Sequence, residues 1–174
     1  MKELFVYGSS HKEGNTYRAL QEVSGQLEQN GIETDFFWIG IKAISGCMGC
    51  KKCKELRRCV INDKVNELLD LAENYDGIVF GSAVHWASIS GFMKPLLDRA
   101  FYADLQGNRN VFRLKPAAVV VVSRRAGTTP ALDQLMKYPA HAEMPIITAG
   151  YWNMVHAEKV EEMEEDEEGL QIMR

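Results

Sequence analysis

The stretch that most constrains this chain is Gly8-Ser9-Ser10-His11-Lys12-Glu13-Gly14-Asn15-Thr16. An apolar run, Leu4-Phe5-Val6-Tyr7, precedes it. A helical pattern follows, with Tyr17, Leu20, Val23 and Leu27 on one face. A strand that turns through a polar, glycine-containing loop into a helix aims free backbone N–H groups at one point, where the helix dipole favours an anion. Two serine hydroxyls, the Asn15 amide and Thr16 stand beside those groups. Glycine at 8 and 14 permits turns that a Cβ would hinder. The pattern describes a phosphate pocket.

Exclusion narrows the phosphate. No Gly-Lys-Ser/Thr ends the loop, so it is not a Walker A. No second glycine lies two residues after Gly8, so it is not the dinucleotide fingerprint. A loop of mostly neutral donors suits a terminal phosphate monoester, as on FMN. The competing reading is an ordinary strand-to-helix turn with Asn15 or Thr16 as N-cap.

The 174 residues make one domain spanning 1–174. Hydrophobic residues are 46% and charged residues 25%, as in a soluble globular protein. The net charge of −4 carries no nucleic-acid footprint. No apolar run approaches the ~20 residues that cross a bilayer, and the N-terminus lacks the pattern of a signal peptide. The expected location is the cytoplasm, where cysteines are reduced, metal-bound or catalytic rather than structural disulfides.

Along the chain, Asn30-Gly31 stops the first helix, and 32–39 reads as a second strand rich in aromatic bulk. Asn62 or Asp63 caps a helix carrying Val65, Leu68, Leu69 and Ala72. Residues 78–80 form a short apolar strand and 81–90 a loop. The next helix carries Phe92, Met93, Leu96, Leu97, Ala100 and Phe101, with Pro95 near its start. The four consecutive valines in 117–122 mark a parallel strand covered on both faces. A loop over 123–129 follows, with Thr129-Pro130 as cap and first helical residue. Residues 145–149 are expected to be a fifth strand, and the acidic 158–168 tail a solvated helix.

Strands alternating with helices predict an α/β three-layer sandwich with a flavodoxin-like, five-stranded parallel sheet in the order 2-1-3-4-5. Ligands of such sheets sit at the carboxyl ends of the strands, at the switch point. The loops after strands one, three and four are all rich in Gly, Ser and Thr, and they should meet along one edge.

With those loops in view, the chain resembles the NADPH-dependent FMN reductase group of flavodoxin-like proteins, and within it the iron–sulfur flavoprotein branch. The marks are Gly8-Ser9 through Gly14-Asn15-Thr16, a four-cysteine segment, Gly81-Ser82-Ala83-Val84 leading to Lys94-Pro95-Leu96-Leu97-Asp98-Arg99, and Ser123-Arg124-Arg125-Ala126-Gly127-Thr128-Thr129. The resemblance implies noncovalent FMN. It places Ser9, Lys12, Asn15 and Thr16 at phosphate-loop positions, with Ser10, His11 and Gly14 between them. It places Ser82, Ala83, Val84, His85 and Trp86 on the loop that touches the isoalloxazine, and Ser123, Arg124, Arg125, Ala126, Gly127 and Thr128 beside the ring edge. Ser10 and His11 depart from the Pro-Arg of the family's first loop, which removes a permanent charge. Ala83 and His85 replace the Pro and Tyr of its second. The resemblance further implies NAD(P)H as donor, a small electron acceptor, and a homodimer or tetramer; the charge and the lack of a long apolar run argue against nucleic acid or membrane as partner.

All four cysteines, Cys47, Cys50, Cys53 and Cys59, lie in one C-x2-C-x2-C-x5-C segment. Compact spacing lets one loop wrap a metal centre, and thiolates suit iron–sulfur or zinc. Lys51, Lys52, Lys54, Arg57 and Arg58 would favour thiolates. The resemblance points to a 4Fe-4S cluster; reduced or redox thiols without metal, and zinc, are the other two readings. Among single residues, Trp86 either stacks on the flavin or packs, and His85 either donates to a flavin carbonyl or is a surface histidine. Asp98-Arg99 reads as a helix-terminal ion pair, and Tyr151-Trp152-Asn153 as a cluster reaching flavin, partner or core. Three functions follow: an FMN-dependent oxidoreductase, an iron–sulfur flavoprotein electron carrier, and a non-enzymatic flavin-binding or zinc-stabilised module.

Overall fold

The computed structural model describes residues 1–174. β1 (Lys2–Gly8) buries Leu4, Phe5, Val6 and Tyr7 almost completely, so both of its faces are covered. α1 (Asn15–Gln29) ends at Asn30, with Gly31 turning at φ +78°, and β2 (Glu33–Trp38) follows. After α2 (Cys53–Leu56) comes α3 (Lys64–Ala72), capped by Asp63, whose carboxylate accepts the Val65 N–H at 3.1 Å. β3 (Gly77–His85) turns into β4 (Ser88–Ile89), and α4 (Met93–Gly107) leads to β5 (Ala117–Ser123). α5 (Thr128–His141), β6 (Met154–His156), a 3-10 turn (Val160–Glu165) and α6 (Glu167–Met173) complete the chain.

The parallel strands lie in the order β2-β1-β3-β5-β6, with β4 antiparallel to β3. Counting parallel strands alone, this is the expected 2-1-3-4-5 sheet. Period-two alternation divides two cores. Leu4, Val6, Ile78, Phe80, Val119 and Val121 pack under α3, α4 and α5. Phe5, Tyr7, Val79, Val120 and Val122 pack under α1 and α6. Each such side chain taken from water stabilises by about 1.5–3 kcal/mol.

Four expectations are corrected. Residues 145–149 are not the fifth strand. Pro145 contributes only a carbonyl, accepting from Ala117 N, and Ile146 makes a single bridge before the chain leaves the sheet. The strand is Met154–His156, paired with Val121 to Ser123. β3 runs on through His85, because Ser82 and Ala83 keep pairing with β5 and Val84 and His85 pair with β4. α5 begins at Thr128 with Gly127 as its N-cap, so Pro130 is its third residue. The acidic tail keeps most of its glutamates exposed but is a 3-10 turn followed by α6 rather than one helix, and it docks on its apolar side: Met163, with Leu170 and Met173 beyond it, is buried, and Arg18 on α1 pairs with Glu164. No helix is long and apolar enough to cross a membrane.

Candidate functional site

The carboxyl ends of β1, β3 and β5 do converge. They border one cavity of about 410 Å3, within the ~300–1,000 Å3 range of small-ligand sites. Ser9, Ser10, His11, Gly14, Asn15 and Thr16 line it from the first loop, together with Glu13, which sequence reasoning did not single out; Ala83, Val84 and His85 line it from β3, and Val122, Ser123 and Arg124 from the end of β5. Lys12, Ser82, Trp86, Arg125, Ala126, Gly127 and Thr128 are not in its lining.

The first loop is held by the sheet beneath it. The Tyr7 hydroxyl donates to the Lys12 carbonyl at 2.8 Å, and the Trp38 indole N–H donates to the Ser9 carbonyl at 3.0 Å. Burial pushes the Tyr7 phenol up to about 12, with smaller contributions from Tyr17 and Glu13, so it remains a donor. The N-cap of α1 is Gly14, and no side chain caps the helix. Asn15 and Thr16 are therefore its first two residues, not its cap. Gly14 is extended rather than left-handed; it is glycine for space, since a Cβ there would lie 2.9 Å from the His11 Cβ.

The other residues expected at the site have distinct local causes. Ser82 is fully buried and structural, accepting the Ser90 N–H at 2.9 Å and donating to the Ala83 carbonyl. Trp86 and Ala87, both left-handed, make the two-residue turn between β3 and β4. The Trp86 side chain is wholly exposed and packs on nothing in the chain. Gly127 brings the third loop against that turn at φ +89°, where a Cβ would come within 2.8 Å of the Ala87 Cα. Arg124 is exposed and pairs with Glu158 at 2.9 Å. Ser123 is buried, and its Oγ has no hydrogen-bond partner.

Sequence reasoning missed one wall. Residues 157–160 close the cavity from the tail side, fixed by the Asn15 amide donating to the Ala157 carbonyl at 2.9 Å and by the Ala157 N–H to the Ser123 carbonyl at 2.9 Å. The signal was the short apolar pair Met154-Val155, overshadowed by Ile146-Ile147. Tyr151 and Trp152 border a separate, apolar cavity with Leu132 and Met136. Their rings sit 5.9 Å apart and are more than half exposed, so they neither reach the first cavity nor fill the core.

The cysteines lie elsewhere. All four line one small pocket, with Arg99 and Tyr102 from α4. Cys53 is buried on α2, and burial raises its thiol; Cys47 and Cys50 are exposed. The donor set suits a thiophilic centre, but no group of three or more Cys, His, Asp or Glu side chains converges to hold a metal ion. Arg99 does not pair with Asp98. It pairs with Asp63 at 2.6 Å, and Asp98 takes Lys94 and the Tyr138 hydroxyl instead.

A family model described as NADPH-dependent FMN reductase matches residues 1–159. An iron–sulfur flavoprotein of Methanocaldococcus jannaschii is 33% identical over 138 residues, covering 79% of this chain and 71% of its own. Among solved structures, a flavone reductase superposes with a TM-score of 0.70 at 18% identity; the match covers 100% of this chain and 61% of that one. A flavodoxin from the Archaea gives a TM-score of 0.61 at 14% identity, covering 99% of this chain and 96% of its own. The structural likenesses establish the flavodoxin-like fold.

Proposed function

The chain belongs to the NADPH-dependent FMN reductase family, on its iron–sulfur flavoprotein branch, and from that premise we propose that this FMN-dependent oxidoreductase takes electrons from NAD(P)H and passes them to a small acceptor. The observation that carries the reading is the single cavity joining the uncapped N-terminus of α1 to the unpaired Ser123 hydroxyl. Hydride acceptance and electron return are the chemistry that FMN supplies when bound.

The chain's own residues bind and orient. The first-turn N–H groups of α1, with Ser9 and Thr16, would hold the phosphate, aided by the helix dipole. Ser123 would give its orphaned hydroxyl a partner on the cofactor. Val84 and His85 would border the ring from β3, and Arg124 would stand at the mouth, where Glu158 now holds it. A second copy of the chain is proposed as the cover for exposed Trp86, checked by light scattering.

Titration of metal-free, flavin-free protein with FMN tests the reading, followed by anaerobic addition of NADPH or NADH. One flavin bound per chain, with its fluorescence quenched and its visible absorbance bleached by a nicotinamide, is the expected result. Protein that leaves saturating FMN free would overturn it. Bound flavin that neither nucleotide bleaches would leave a flavin-binding module and reject the donor. A second reading is favoured by the one pocket that all four cysteines share: they hold a 4Fe-4S cluster. Iron and sulfide analysis of anaerobically prepared protein decides it; neither element in stoichiometric amount rejects the cluster.

A further inference from the structure

Arg99 touches three separate parts of the stretch that contains the cysteines. Its Nε and Nη2 donate to Cys59 Sγ at 3.3 and 3.1 Å. Its Nη1 donates to the Ser45 carbonyl at 3.3 Å, before the first cysteine, and its Nη2 to the Ile61 carbonyl at 3.1 Å, after the last. Asp63 holds the fork from behind through both oxygens, at 2.6 and 3.0 Å. The guanidinium is buried, with a side chain only 1% exposed, so it has no water to fall back on. A planar fork gripped at both ends has one orientation, and that orientation fixes the sulfur.

A second clamp acts on the same residue. Asn66, also buried, accepts the Cys59 N–H at 2.9 Å and donates to the carbonyls of Cys59 and Ile61 at 2.9 and 3.2 Å. Cys53 is fixed differently. It opens α2, which lies so close to α4 that a Cβ on Gly107 would come 3.1 Å from the Cys53 carbonyl. Cys47 and Cys50 have no such supports: both are exposed, and residues 43–51 belong to no helix or strand.

We propose that Arg99 is a positioning residue for the cysteine pocket: it locks Cys59, as the α2–α4 contact locks Cys53, so that two sulfurs are held by the fold and Cys47 and Cys50 bring the other two around a thiophilic metal centre. This accounts for four cysteines that share a pocket without converging. The two N–H donors on Cys59 Sγ also set positive charge against the sulfur that would carry metal-bound negative charge. The role is the same for an iron–sulfur centre and for a single soft cation, so it stands apart from the cluster reading above.

A double-mutant cycle on the full reduced chain tests it, with Cd2+ alone as the probe and thiolate-to-metal absorbance as the readout. Arg99→Lys keeps the charge and removes the fork; it is expected to weaken Cd2+ binding by about tenfold or more. With Cys59→Ser in place the same change should cost little, whereas with Cys47→Ser in place it should cost the full amount. Asp63→Asn, which retains an α3 cap, should reproduce the Arg99→Lys loss, and circular dichroism confirms the fold of each variant. Equal losses with and without Cys59, no loss in either folded variant, or a wild-type chain that ignores Cd2+ would each overturn the assignment. Failure to find iron and sulfide in the native protein would not bear on it.

Discussion

The Tyr7 hydroxyl reaches from the end of β1 to the Lys12 carbonyl, 2.8 Å away, and so ties the middle of the first loop to the strand that launches it. Tyr7 is 1% exposed, which makes this an interior bond. Tyr7→Phe keeps the ring packed against Tyr17 and Phe36 and removes only the bond. The expected cost is about 1 kcal/mol of stability, measured by urea unfolding. FMN affinity should weaken severalfold in the same variant, because the loop loses its pre-set curvature.

Gly127 is required for two reasons at once. Its φ of +89° suits glycine, and a Cβ would enter the Ala87 backbone at 2.8 Å. Gly127→Ala should therefore lower stability by ~1–3 kcal/mol and move the Trp86 turn away from the third loop. Gly150 is the control, since a Cβ there meets nothing within 4 Å. Gly150→Ala is expected to be neutral or slightly stabilising in the same thermal melt.

The parts of this fold that local pattern carries were legible before any coordinates. Four valines in a row can only be a strand covered on both faces, and β5 is one. A polar loop between an apolar run and an amphipathic helix can only sit at a strand's carboxyl end, and residues 8–16 do. The misjudged elements depend on distant partners instead. Ile146 and Ile147 outrank Met154 and Val155 in strand preference, yet their segment touches β5 only at Ala117 before it leaves the sheet, and the weaker pair docks beside Val121. Met163 and Leu170 looked too sparse to bury, because the surface that buries them belongs to α1, more than a hundred residues earlier. Arg99 was matched to its chain neighbour Asp98, while its partner is 36 positions away. In the candidate site the same division holds: the convergence of three strand ends was visible, and the wall formed by residues 157–160 was not.

Glu3 gives the fold a pH dependence of known sign. Burial first, and the Asp76 carboxylate second, push its carboxyl up to about 7. The unfolded chain returns it to the ordinary range near ~4.3. Between those values the folded state holds the extra proton, so stability falls as pH rises from ~4.5 to ~7 and is level above. Glu3→Gln should be more stable than wild type at pH 8, by about 1–2 kcal/mol once partial solvent screening is allowed for. The two should coincide near pH 4.5. Urea midpoints across that range check it, and a difference that grows toward acid would refute the assignment.

Ser123 offers a change whose two effects have opposite signs. Its buried Oγ lacks a hydrogen-bond partner at the edge of the candidate flavin cavity. A buried hydroxyl without a partner costs about 1–3 kcal/mol, so Ser123→Ala should raise the melting temperature of flavin-free protein or leave it unchanged. If the hydroxyl is kept for the cofactor, the same variant should bind FMN more weakly, and FMN should raise its melting temperature by less than it raises that of wild type. A serine retained only for packing would show the first effect without the second. Paired melts of wild type and variant, each with and without FMN, separate the two. A variant that is less stable without flavin yet binds it as tightly as wild type would show that Ser123 contributes to the strand and not to the site.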